Sequence, residues 1–139
     1  MPYMKEGSAK ISSHWWTSPF RTFEQSCAQC HKEGKEETGK RVPHTQDRVK
    51  EALDRAGEAT KAAIVAIEAA MKAGADAKMI DEARALHREA QFYWDLSSAE
   101  NCSGFHNPQL SRERSADSID LPGQAERRAI QAANAQQEH

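Results

Sequence analysis

The chain has 139 residues, 38% hydrophobic, 29% charged and 6% aromatic, with a formal net charge of −2. That length suits one domain or part of a larger one. Scarce β-branched residues argue against a large sandwich or barrel, no apolar run approaches the roughly 20 residues of a membrane span, and 19 basic against 21 acidic side chains give no general polyanion-binding surface.

The composition leaves little to build a core with. Mean hydropathy is −0.84. Much of the apolar share is alanine, which favours helix and packs closely but buries little area. The expected fold class is mainly α: an irregular N-terminal region over residues 1–44, then long helices over 45–139.

Gly7, Gly34 and Gly39, with Pro2, Pro19, Pro43 and several Ser and Thr, predict turns and loops over residues 1–44. Within them lies an aromatic cluster, His14-Trp15-Trp16-Thr17-Ser18-Pro19-Phe20. A loop region without a cofactor rarely has reason to gather so many aromatics. The opening residues are polar, so no secretory signal is visible, and read literally the chain would stay in the cytoplasm.

A helix is predicted over residues 45–73, with Thr45 as N-cap and Asp47 in the first turn, where the helix dipole favours an anion. Val49, Leu53, Ala56, Thr60, Ala63, Ile67 and Ala70 recur at alternating spacings of four and three, a coiled-coil-like seam. Gly74 closes this helix. Asp76 caps the next, whose stripe is Met79, Ala83, Leu86, Ala90, Tyr93 and Ser97, widened by Trp94 and Leu96. The very short linker predicts an antiparallel αα-hairpin. The pattern fades near Asn101-Cys102-Ser103-Gly104. Asn107-Pro108 then starts a third helix, with Asn as cap and Pro at the first position. Pro122-Gly123 should kink or break it. It resumes from Gln124 to Ala135, and the last residues should fray.

Three cysteines make no disulfide framework, but Cys27-Ala28-Gln29-Cys30-His31 is a C-x-x-C-H motif. Two thiols three positions apart can each join one vinyl group of the same porphyrin, and the adjacent histidine can ligate its iron. A redox C-x-x-C needs a strand–helix context that the sequence lacks. A structural zinc site drawing on Cys27, Cys30, His31 or His44, and Cys102 stays open, as does a chance match. A haem held by one histidine has a sixth position to fill. Six histidines occur: His14, His31, His44, His87, His106 and His139. His139 is terminal, His87 lies on the second helix, and His44 precedes a helix where it can cap or face solvent. His106, in the break between two helices, and His14, before two tryptophans, are the candidates for a second ligand.

Residues 14–20, the C-x-x-C-H motif, the run Gln91-Phe92-Tyr93-Trp94-Asp95-Leu96, Ala99-Glu100-Asn101, Gly104-Phe105-His106-Asn107-Pro108-Gln109 and Ser118-Ile119-Asp120-Leu121 together resemble the C-terminal part of the ammonia-forming cytochrome c nitrite reductases. The order and spacing agree along essentially the whole chain. The resemblance implies a pentahaem oxidoreductase that reduces nitrite to ammonium with six electrons. It implies that Cys27, Cys30 and His31 hold the last of five haem c groups, that His106 is the distal ligand of that iron, and that His14 is the distal ligand of the preceding haem. That preceding haem's own motif would end just before Met1-Pro2, so His14 is expected to lack its partner here.

The lysine-ligated catalytic haem, the catalytic arginine, tyrosine and histidine, and the calcium site of the family all map upstream. The resemblance therefore implies one bis-histidine electron-transfer haem and dimer-interface helices, inactive alone. It also implies a homodimer, the rest of the reductase and an electron donor as partners, a periplasmic location, and a true N-terminus further upstream; nucleic acid and membrane are not indicated as partners. A free-standing monohaem electron carrier, or a haem-free helical interaction protein, is the alternative. Two departures stand out. Cys102 occupies a place where a serine or other small residue is expected, and is either open to thiol chemistry or simply buried. Pro122 falls inside what should be a continuous dimer-packing helix.

Overall fold

The computed structural model describes residues 3–15 and 17–137. Met1, Pro2, Trp16, Glu138 and His139 lie outside the described residues, and with them the expectations placed on Met1-Pro2, on Trp16 and on His139. The chain is mainly α, with more order at its start than the composition suggests.

Strands β1 (Tyr3–Glu6) and β2 (Ala9–Ser12) pair antiparallel, with Tyr3 opposite Ser12 and Glu6 opposite Ala9. Gly7, with φ of +59°, is the first of the two connecting residues, where a II′ turn calls for glycine. Every residue of both strands is exposed. A 3-10 turn (Pro19–Thr22) follows, then the short helices α1 (Phe23–Ser26) and α2 (Gly34–Gly39). Phe20 lies on the backbone of Gly39, where an added Cβ would sit 2.5 Å from its ring. The turn and α2 are thereby held together.

Three long helices make the body: α3 (Arg41–Lys72), α4 (Ala77–Ser98) and α5 (Pro108–Gln137). α3 starts four residues before the expected point. Thr45 is not its cap. Its hydroxyl donates to the Arg41 carbonyl inside the first turns, at 3.0 Å. Pro43 does not block this start, because the N–H that proline lacks would have no intrahelical partner in the first turn in any case.

The end of α3 is as expected. Ala75 N–H bonds the Ala70 carbonyl and Gly74 N–H bonds Met71, with Gly74 at φ +73°, a Schellman closure. Asp76 caps α4 by accepting from Met79 N–H at 3.1 Å. Asn107 caps α5 by accepting from Leu110 N–H at 3.1 Å.

The predicted seam of α3 is the buried one: Val49, Ala56, Ala63, Ile67 and Ala70 are all buried. On α4 the buried residues are Ile80, Ala83, Ala90 and Ser97. The expected two-helix hairpin is only part of the packing. α5 contacts both α3 and α4 more extensively than those two contact each other. Its buried residues are Ser111, Ser115, Ser118, Pro122, Ala125, Ala129 and Ala132, again alternating in fours and threes.

Small side chains on all three seams let the backbones approach closely. The buried serines of α5 are tolerated because each hydroxyl is paired one turn back, Ser111 to the Asn107 carbonyl at 3.1 Å, Ser115 to that of Ser111 and Ser118 to that of Arg114, both at 2.7 Å.

Pro122 does not break α5, which is helical from Pro108 to Gln137. The proline costs the Ser118 carbonyl its helical donor. Its ring is fully buried on the seam, however, and the turns on either side are anchored against α3 and α4. Tertiary packing outweighs the local penalty. No helix among the described residues is long and apolar enough to cross a membrane.

Candidate haem site

The C-x-x-C-H motif forms the turn between α1 and α2. The Cys27 carbonyl accepts N–H groups from both Cys30 and His31, at 3.1 and 2.9 Å. Cys27 N–H bonds back to Phe23, whose side chain is buried. Lys32 Nζ caps the Ala28 carbonyl at 2.9 Å, and Gln29 Nε2 reaches the Gln25 carbonyl at 3.3 Å. The backbone of the motif is thus tied within its own segment. Both thiols are free, Cys27 half-buried and Cys30 exposed.

His31 is exposed, and its Nδ1 lies 3.0 Å from Glu33 Oε1. The same oxygen accepts from Thr38 Oγ1 at 3.1 Å. The Glu33 carboxyl is lowered from 4.5 to about 2, first by its own backbone N–H, then by His31 and Thr38. An ionised carboxylate only accepts hydrogen bonds, so Nδ1 is the donor of this pair, and the neutral tautomer with that proton keeps its lone pair on Nε2. The donor set therefore fits haem c: two free thiols around one turn, and an adjacent imidazole whose Nε2 makes no hydrogen bond among the described residues.

His106 lies on the α4–α5 connection, exposed, edge-on to Phe105 at 6.2 Å between centroids. That connection is well fixed. Gln46 Nε2 donates to the Cys102 carbonyl at 3.2 Å. Gly104, at φ +79°, lies so close that an added Cβ would meet Val49 at 2.6 Å and Ser111 at 2.8 Å.

Cys102 is buried, 5% exposed, and its Sγ donates to Glu100 Oε1 at 2.9 Å. Burial and the neighbouring Glu100 carboxylate push the thiol pKa up. It is a buried small residue rather than a reactive one. His14 is exposed between β2 and the 3-10 turn, beside a Trp15 that is 79% exposed. His44 lines a cavity of about 170 Å³ with Arg48, Pro108 and Arg112. His87 is half-buried on α4, its Nε2 without a hydrogen-bond partner.

Among the described residues no three His, Cys, Asp or Glu side chains gather as metal ligands. The zinc grouping of Cys27, Cys30, a histidine and Cys102 is therefore not assembled. What the sequence reading missed is the surroundings of the candidate ligands: Glu33 and Thr38 on His31, and Gln46, Val49 and Ser111 against Cys102 and Gly104 of the connection that carries His106. A carboxylate two residues after a candidate ligand histidine is the one signal that was available.

The cytochrome c552 family model matches residues 1–138. The chain is 43% identical over 117 residues to a cytochrome c nitrite reductase subunit NrfA of Nitratidesulfovibrio vulgaris, covering 78% of this chain and 22% of that protein. It is 30% identical to a cytochrome c-552 of Bacteroides thetaiotaomicron, over 90% of this chain and 25% of the relative. It is also 30% identical to one of Maridesulfovibrio salexigens, over 95% and 25%. The chain thus spans about a quarter of the length of these relatives. With its C-x-x-C-H turn and three-helix body, it belongs to the cytochrome c552 family, the cytochrome c nitrite reductases.

Proposed function

We propose that this chain is the terminal electron-transfer portion of an ammonia-forming nitrite reductase. Cys27 and Cys30 attach one haem c, His31 is its proximal ligand and His106 its distal ligand. His14 serves the preceding haem, whose attachment motif belongs to the upstream part of the enzyme. The observation that carries this reading is the Cys27–His31 turn, with free thiols and an uncommitted His31 Nε2, in a chain that matches the family model from end to end. When bound, haem c supplies an iron that gains and loses one electron. Held by both His31 and His106, that iron would offer substrate no open position, so the segment would relay electrons and not by itself reduce nitrite.

The exposed apolar side chains of the helices, Ile64, Val65, Phe92, Leu96 and Ile130, support a homodimer formed through the body. The exposed Trp15 supports contact with the remainder of the reductase. Covalent haem c is matured outside the cytoplasm, which supports a periplasmic location.

Expression in the periplasm with the c-type maturation machinery tests the reading. The expected product carries one covalent haem with a low-spin spectrum, and His106→Ala turns it high-spin. An unchanged mass and no Soret band would overturn the haem assignment. An unaltered spectrum in the variant would remove His106 from the iron.

A further inference from the structure

The family reading names ligands for the iron but nothing that sets its properties from the His31 side. The hydrogen bond between His31 and Glu33 is the one interaction among the described residues that ties a ligand candidate's ring to a charged group. Glu33 is itself held. Thr38, on the last turn of α2, donates its hydroxyl to the same Oε1 that faces His31, at 3.1 Å. The three residues form a short chain, Thr38 to Glu33 to His31, within one turn and one short helix. Neither the C-x-x-C-H pattern nor haem attachment requires a carboxylate at this place.

Resting on the haem assignment above, we propose that Glu33 is a positioning residue for the proximal ligand. It fixes the Nδ1–H tautomer of His31, aims Nε2 at the iron, and lowers the reduction potential of the haem. The physics is that of a metal-bound imidazole with an anionic partner. A carboxylate accepting from Nδ1–H draws the proton toward itself and leaves the ring richer in electrons. An electron-rich ligand stabilises ferric over ferrous iron, so the potential falls. The charge-assisted bond is stronger than one to a neutral acceptor. Thr38 keeps the carboxylate from rotating away into solvent, where the side chain, about half exposed, would otherwise turn freely.

The competing explanation is a surface ion pair with no effect on the ligand, since exposed pairs contribute little. Redox titration of the haem-loaded chain, followed by its absorbance, separates the two. Glu33→Ala is expected to raise the potential most, Glu33→Gln less, because an amide oxygen still accepts, and Thr38→Val least. Glu33→Asp, which keeps the charge, is expected to return part of the shift.

The reference for a plain loss of charge is Glu37→Gln. Glu37 is on the same helix and pairs with Lys40 instead. Equal potentials for Glu33→Ala and Glu37→Gln would overturn the proposal, as would wild-type potentials for both Glu33→Ala and Glu33→Gln. Should Glu33→Ala mature poorly, Glu33→Gln and Thr38→Val decide the matter alone. Absence of haem from the wild-type chain would overturn the haem assignment itself, whereas haem attached with an unmoved potential would overturn only the role of Glu33.

Discussion

The helical body and the segment before it are built from the same poor stock of apolar residues and use it in opposite ways. Over residues 41–137 small side chains line three seams, and the core is a cluster of Ile67, Ala70, Ile80, Ala83, Ala129 and Ala132. Before Arg41, Phe23 is the one buried apolar side chain among the described residues, while Tyr3, Met4, Ile11, Trp15 and Phe20 are exposed. The body buries its seams between the three helices and leaves Ile64, Val65, Phe92, Leu96 and Ile130 exposed on its outer faces. The N-terminal segment holds its shape through turns and local hydrogen bonds, and its aromatic side chains Tyr3, Trp15 and Phe20 stay exposed. A helix needs only a stripe to find a partner, whereas a 40-residue segment without a core depends on a cofactor or a neighbour for much of its stability.

The sharpest way to separate the two regions is to damage one core. Ile67→Ala removes one of the two large buried side chains of this cluster, the other being Ile80, among alanines that can do little to fill the space. A loss of about 2–5 kcal/mol is expected, read as a lower midpoint in urea or thermal unfolding followed by helix content. Haem attachment at Cys27 and Cys30 should be unaffected at temperatures where the body stays folded. If the same variant abolished attachment, the two regions would be one cooperative unit and the contrast would fail.

Much of the body was legible in the sequence because it follows two simple rules, periodicity and capping. The α3 seam from Val49 to Ala70, Gly74, Asp76 and Asn107-Pro108 all do in the structure what their residue types require. The seam of α5 was not legible. Ser111, Ser115 and Ser118 read as polar, and only their hydroxyl bonds to carbonyls one turn back make them fit for burial. The break that Pro122 suggested does not occur, because the local penalty is overruled by packing on both sides.

The hairpin Tyr3–Ser12 left no trace, because both strands are exposed throughout and no alternation of apolar and polar residues marks them. At the candidate site the cysteines and histidines were visible as a motif. Glu33 and Thr38 were not, because their importance lies in an orientation that only coordinates supply.

A second, smaller test reaches the α4–α5 connection inside the body, which carries His106. Gly104 sits at a positive φ with Val49 and Ser111 pressed against it. Gly104→Ala adds a left-handed penalty of roughly 1–2 kcal/mol to the displacement of those neighbours. The body should lose stability by about 2 kcal/mol or somewhat more. The loop bearing His106 should shift with it, so the haem-loaded chain is expected to show a mixed high- and low-spin spectrum. A stability loss with a purely low-spin spectrum would mean that His106 does not depend on this packing.

The smallest effect belongs to the charged surface of the body. Glu68 and Lys72 pair across one turn of α3 at 2.5 Å. The Glu68 carboxyl is held below its ordinary value of 4.5, first by the hydrogen bond from Lys72 and then by its charge. A carboxylate whose pKa is lower in the folded state stabilises that state above its ordinary pKa, and the contribution is lost as the pH falls through the lower, folded value. Glu68→Gln should therefore lower the unfolding midpoint slightly at pH 7 and not at all in acid below that value. Added salt should shrink even the neutral-pH difference, because both side chains are well exposed. A loss at pH 7 as large as that of Ile67→Ala would show that surface charge, rather than the small-residue seams, holds the three helices together.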